Sequence, residues 1–202
     1  MKDVTTWIVY NDSNTNPDPI LADSFYHWDD TVFTPLEPEP VVEPDEIHTL
    51  DVFFDTLGDG ANYAMFNEIS YKPPIVPSLL TALSVPANYS TEATVYGTST
   101  NPFVLGHNNM VEIVLNNADH GKHPCKSPSE PLNLSVHLHG HVFQVIYRSE
   151  EEAGAYNDSM QLTFPANPMR RDTVQVKPTG FVILRFRADN PGIWLVNHYL
   201  WK

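Results

Sequence analysis

Apolar residues recur at every second position over much of the chain. His48, Leu50, Val52 and Phe54 share one face of a two-residue repeat. Val111, Ile113 and Leu115 share another, with Glu112 facing outward. Val182, Leu184, Phe186 and Ala188 form a third such row, with Arg185 and Arg187 projecting from the opposite side. A period of two is what a half-buried antiparallel strand requires, because successive side chains point to opposite faces. Adding 63–66, 94–96, 136–147 and 173–176 predicts about eight short strands at the spacing of an all-β sandwich. No segment carries a competing helical period. The β-branched and aromatic run at 5–10 predicts one more strand, ending at Asn11-Asp12-Ser13-Asn14, whose pairing partners would belong to a preceding element. Between 29 and 46, repeated prolines and like charges predict an extended, solvated connector. The organisation expected is therefore the tail of a preceding domain plus an acidic, proline-rich linker over 1–46, then a β-sandwich over 47–202.

Composition narrows the function. The chain has 202 residues, 42% of them hydrophobic, enough for one sizeable core. Asp and Glu number 25 against 11 Lys and Arg, for a net charge of -14. Binding of nucleic acid or an anionic membrane needs clustered cations and is excluded on that balance. A metal dication, by contrast, would be drawn to such a surface at low salt. One cysteine, Cys125, allows no internal disulfide, so metal or redox chemistry must rest on nine histidines and the carboxylates. Met1 is not followed by a basic head and apolar stretch, and no run approaches the roughly 20 apolar residues of a membrane helix. Asn11, Asn88, Asn133 and Asn157 each begin an Asn-x-Ser sequon, the mark of a chain that passes through a secretory pathway.

The chemistry concentrates in His120-Gly121-Lys122-His123-Pro124 and His137-Leu138-His139-Gly140-His141. Residues two apart on a strand have Cα atoms roughly 6.6 Å apart on one side, so His137, His139 and His141 are expected to line one face. Three imidazoles on one face form a surface for zinc, copper, iron or nickel, and spacing alone does not choose among them.

Those histidines, together with Val142-Phe143-Gln144, Pro168-Met169-Arg170-Arg171-Asp172-Thr173 and Asp189-Asn190-Pro191-Gly192-Ile193-Trp194, resemble the third cupredoxin domain of fungal multicopper oxidases. The iron-transport ferroxidases are the nearest branch, over about residues 48–194. The resemblance implies an all-β, cupredoxin-like (plastocyanin-like) Greek-key sandwich. It also implies an enzyme in which a blue copper takes electrons from substrate and a three-copper cluster reduces dioxygen to water. His123 would be a blue-copper ligand, His137 a type 2 ligand and His139 a type 3 ligand; His141 matches the motif without being a ligand. Asp119 would bind iron(II) and relay its electron, and Tyr63 would contribute to iron selectivity. The remaining oxidase domains and an iron permease would be the partners, at the outer face of the cell membrane.

Two departures qualify the expectation. Twelve residues, 125–136, separate His123-Pro124 from His137, where the family has one. After Trp194 the family continues through two residues into His-Cys-His, whereas this chain reads Leu195-Val196-Asn197-His198-Tyr199, so the sandwich is expected to be incomplete at its C-terminus and the isolated chain inactive. Codons for Cys125-Lys126-Ser127 and Val196-Asn197 can spell the start of an intron, which would make both departures features of the gene reading. The alternatives are a laccase-type phenol oxidase fragment, which Asp119 and Tyr63 argue against, and a non-catalytic copper-binding cupredoxin-like glycoprotein, whose histidines could also carry zinc.

Overall fold

The computed structural model describes residues 30–56, 58–118 and 134–199. The strand expected at 5–10, together with Asp119, His120, His123 and Cys125, lies outside the described residues. The chain divides into two compact units, and the architecture below is that of the unit Val32–Lys202.

Two sheets face each other. The larger has six strands in the order β2-β1-β3-β8-β5-β6, formed by β1 (Glu46–Thr56), β2 (Asn62–Phe66), β3 (Met110–Asn117), β5 (Phe143–Arg148), β6 (Arg170–Arg171) and β8 (Phe181–Arg187). The smaller has three, β7 (Thr173–Val176), β4 (Leu134–Leu138) and β9 (Val196–Tyr199), with β4 in the middle. β1 and β3 pair in parallel, with Leu50 opposite Leu115, and the other ladders are antiparallel. The alternating rows meet between the sheets: Leu50, Val52 and Phe54 of β1, Val111, Ile113 and Leu115 of β3, and Val182, Leu184 and Phe186 of β8 pack against Leu134, Val136, Leu138, Val174 and Val176. Burying such side chains contributes about 1.5–3 kcal/mol each, which makes this interface the main source of stability.

β3 is buried along its whole length, on both faces. The reason is a second, smaller cluster on the outer side of the large sheet, where Val114, Ile146, Phe181 and Ile183 are covered by Val41, Tyr156, Met160 and Leu162. Glu112 faces outward as the alternation predicts, yet it is only 6% exposed: Arg185 on the neighbouring strand pairs with it and is itself hydrogen-bonded to the Val42 carbonyl of the 35–45 segment. That segment is extended and largely exposed, as its prolines and charges predict, and it is hydrogen-bonded to the sheet through Glu39, Val42 and Asp45.

Three local expectations are corrected. The 94–96 run is a single 3-10 turn, Ala93–Tyr96, anchored by Tyr96 Oη donating to the Ser90 carbonyl at 2.5 Å. A short helix, α1 (Ser78–Ser84), forms where no helical period was legible, since none of its residues is buried. The stretch 136–147 is two strands, β4 and β5, with a turn between them. Among the described residues no helix is long and apolar enough to cross a membrane.

Candidate metal centre

β4 ends at Leu138, and Gly140 follows with a φ of 69°, a left-handed conformation that glycine adopts without steric cost. The turn parts the three histidines. His137 and His139 remain neighbours, their ring centroids 4.8 Å apart and tilted by 57°. His141 is carried round the turn onto Phe186, at 5.0 Å, and Trp194, at 6.1 Å. The expectation of three imidazoles on one face is therefore corrected to a pair plus one packing histidine. His141 makes its contact through Nδ1, 3.1 Å from the His139 carbonyl.

The turn is held from outside by the Asn190-Pro191-Gly192-Ile193-Trp194 loop. Asn190 Nδ2 donates to the Gly140 carbonyl at 2.9 Å, and Trp194 Nε1 donates to the Asn190 carbonyl at 2.8 Å. The indole lies so close over Gly140 that a Cβ there would sit 2.6 Å from its ring. The residue after this glycine motif is thus fixed by a loop fifty residues away, which is why the two stretches belong together in the sequence pattern.

His137 is oriented by the β6–β7 corner. Its Nδ1 lies 2.8 Å from the Asp172 carbonyl oxygen and 3.0 Å from Thr173 Oγ1, and the Asp172 carboxylate is 4.0 Å away. A carbonyl only accepts, so the neutral ring carries its proton on Nδ1, which makes Nε2 the acceptor nitrogen of the ring. A fixed tautomer of this kind is the usual outer support of a metal-binding histidine. Neutral imidazole suits copper, and the pair fits that ion by its donor chemistry. Among the described residues, no group of three or more His, Cys, Asp and Glu side chains is placed to hold a metal.

Tyr63 is on the edge strand of the other sheet, opposite Asp55. Its Oη donates to Asp59 Oδ2 at 2.5 Å, while Asp59 Oδ1 accepts the Ala61 amide at 2.9 Å. The hydrogen bond from Tyr63 holds the Asp59 carboxyl below its ordinary value, and the same bond pushes the Tyr63 phenol up. The structure brings His137 and His139 together and leaves Tyr63 on a separate strand; Asp119 and His123 lie outside the described residues. Asp172, Thr173, Asn190 and Trp194 are legible in the sequence only as motif members. Their supporting roles had no signal of their own, since two of them act through backbone oxygens.

A profile for the multicopper oxidase family matches residues 71–201, more than half of the chain. The chain belongs to the multicopper oxidase family. It is 45% identical, over 98% of its length, to the iron transport multicopper oxidase fetC of Epichloe festucae, and 45% identical over 98% to the iron transport multicopper oxidase FET3 of Candida albicans. It spans 30% and 31% of the length of these relatives. The crystal structure of Fet3p, a multicopper oxidase that functions in iron import, superposes with a TM-score of 0.77 at 38% identity, covering 94% of this chain and 35% of that one. The laccase from Botrytis aclada shares the fold, with a TM-score of 0.54 at 20% identity over 81% of this chain and 27% of the laccase. The fold is cupredoxin-like and mostly β, as expected, and copper is the metal that membership in this family implies.

Proposed function

We propose that this chain is the third cupredoxin domain, over 47–202, of an oxidase that converts iron(II) to iron(III) and reduces dioxygen to water, with 1–46 the tail of a preceding domain and its connector. The observation that carries the reading is the His137–His139 pair, with the Nδ1 of His137 tied to the Asp172 carbonyl, in a chain aligned along 98% of its length with a protein named as an iron transport multicopper oxidase. His137 and His139 would hold copper of the oxygen-reducing cluster and His123 copper of the electron-accepting site. Bound copper supplies one-electron redox chemistry. The chain's own residues do the rest: Asp172 and Thr173 fix the His137 ring, Asn190 and Trp194 hold the turn that sets His139, and Asp119 and Tyr63 bind and select iron(II). A carboxylate at Asp119 favours iron(III) over iron(II) as a hard anionic ligand, which lowers the potential of the bound iron and helps its electron leave.

The remaining oxidase domains supply the other copper ligands, and an iron permease at the cell surface receives the product. With Cys125 as its single cysteine, the 202-residue chain assayed alone is expected to oxidise neither iron(II) nor phenols. The test grafts residues 47–194 into a full-length relative in place of the matching stretch of its third domain, keeping the relative's own His-Cys-His continuation, and compares iron(II) with phenol oxidation, with and without Asp119→Ala. Selective loss of iron(II) oxidation supports the reading; equal loss of both, or of neither, overturns it in favour of a laccase-like or non-catalytic role.

A further inference from the structure

The short helix α1 is inverted for a segment that faces water. Ser78, Thr81 and Ala82, spaced three and four apart, are half-buried, while Leu79, Leu80 and Leu83 share the opposite face and are 52%, 53% and 75% exposed. Surface helices of globular proteins carry the reverse arrangement, apolar inward and polar outward. Ile75 and Val76, just ahead of the helix, are exposed as well, and no charged side chain occurs from Pro73 to Thr91 in a chain of net charge -14. Nothing local holds these seven residues helical: Pro77 at the N-cap makes no side-chain bond, the first turn has no acid and the last turn no base. Helices shorter than about 12–15 residues are marginal in water, and most take their stability from a packed apolar face. Among the described residues, none of α1 is buried. An uncharged, exposed apolar face is the composition of an interface core.

We propose that the leucine face of α1, with Ile75 and Val76, docks onto an apolar surface of another domain of the same oxidase polypeptide. This docking rests on the reading of the chain as one domain of a longer oxidase. The chain spans 30% of the length of its Epichloe relative, so under that reading most of the polypeptide is available to cover the helix. The helix also falls within residues 71–201, which match the family profile, so it belongs to what the family shares. A second copy of the chain fits this face less well, because each copy brings a net charge of -14 and the two repel.

Hydroxyl-radical footprinting of Leu79, Leu80 and Leu83 tests the docking, in the 202-residue chain and in the full-length relative that carries residues 47–194. The leucines are expected to label readily in the chain and severalfold less in the graft. The triple variant Leu79→Gln/Leu80→Gln/Leu83→Gln preserves helix propensity, since leucine and glutamine rank together. It is expected to leave the melting temperature of the chain unchanged and to lower that of the graft by several degrees. Equal labelling in the two proteins, or a variant graft that melts with its parent, would overturn the inference. Protection in the chain alone also overturns it: protection that grows with concentration, alongside a dimer in sedimentation, assigns the face to a second copy, and protection independent of concentration assigns it to packing within the chain. A graft that protects the leucines yet oxidises no iron(II) defeats the ferroxidase reading and leaves the interface standing; one that oxidises iron(II) with its leucines fully labelled does the reverse.

Discussion

Arg185 and Glu112 are a charged pair inside the outer cluster of the large sheet, 5% and 6% exposed, joined through Nε and Oε2 at 2.6 Å. Arg185 also gives Nη1 to the Val42 carbonyl at 2.8 Å. Removing one partner strands a buried charge, so Glu112→Leu and Arg185→Met are each expected to cost about 3–5 kcal/mol, while the double variant Glu112→Leu/Arg185→Met is expected to recover most of that loss. Urea unfolding of the parent, both single variants and the double variant measures it; additive losses would show that the two side chains act independently. Asp59 and Tyr63 give a second residue-scale test. The depressed Asp59 carboxyl keeps its bond to the phenol at neutral pH and loses it as pH falls through the folded value. The raised Tyr63 phenol keeps the bond below the ordinary tyrosine range and loses it as pH rises through the folded value. Tyr63→Phe is expected to raise the Asp59 carboxyl, and Asp59→Asn to lower the Tyr63 phenol, both read by carbon-13 NMR titration; no movement in either would mean the bond is absent in solution. Alternation makes Glu112 and Arg185 legible as outward-facing residues, but it does not show that the proline-rich stretch, 143 residues before Arg185, accepts a hydrogen bond from its guanidinium.

At the scale of elements, each departure from the pattern has its own physical cause. Period two runs through 136–147 in the sequence because His137, His139 and His141 fit it, and the single glycine after the end of β4 breaks the face. The turn is a compact steric unit: Gly140 has positive φ, and its missing Cβ is the space that Trp194 fills. Gly140→Ala is expected to destabilise the fold by about 2–4 kcal/mol, part from the left-handed backbone and part from overpacking against the indole. In a Trp194→Ala background the steric part vanishes, so the two substitutions should combine with less than additive loss, and thermal melts of the four proteins measure the coupling. Strict additivity would show that Trp194 does not rest on Gly140. α1 leaves no helical period in the sequence because Leu79, Leu80 and Leu83 are each at least half exposed, so no buried stripe imposes one. The 94–96 run has strand propensity and no neighbour to pair with, and propensity without a partner produced a turn.

For the whole molecule, the decisive question is where the stable unit begins. Hydrophobic alternation starts at β1, so a boundary at residue 46 is the natural choice from sequence. Yet the outer cluster of the six-stranded sheet is closed by residues that precede it: Val41 packs on that cluster, the Glu39 carbonyl accepts from Gln144 Nε2 at 2.9 Å, and the Val42 carbonyl accepts from Arg185. Glu39 also pairs with Arg170 at 3.0 Å, and Asp45 exchanges bonds with the Met110 backbone at 2.7 and 2.8 Å. Gln144 and Arg185 are both 5% exposed, so removing the segment leaves two buried polar side chains short of acceptors and bares apolar surface on the sheet. The surface ion pair to Glu39 adds little, since exposed pairs contribute about 0–1 kcal/mol. A chain begun at Ile47 is therefore expected to be less stable than one begun at Val32 by on the order of 3–5 kcal/mol, a drop of about 10 °C in melting temperature. Calorimetry of the two proteins tests it. Equal melting temperatures would mean that the connector rides on the sandwich without supporting it, and that the acidic stretch serves only to join two domains.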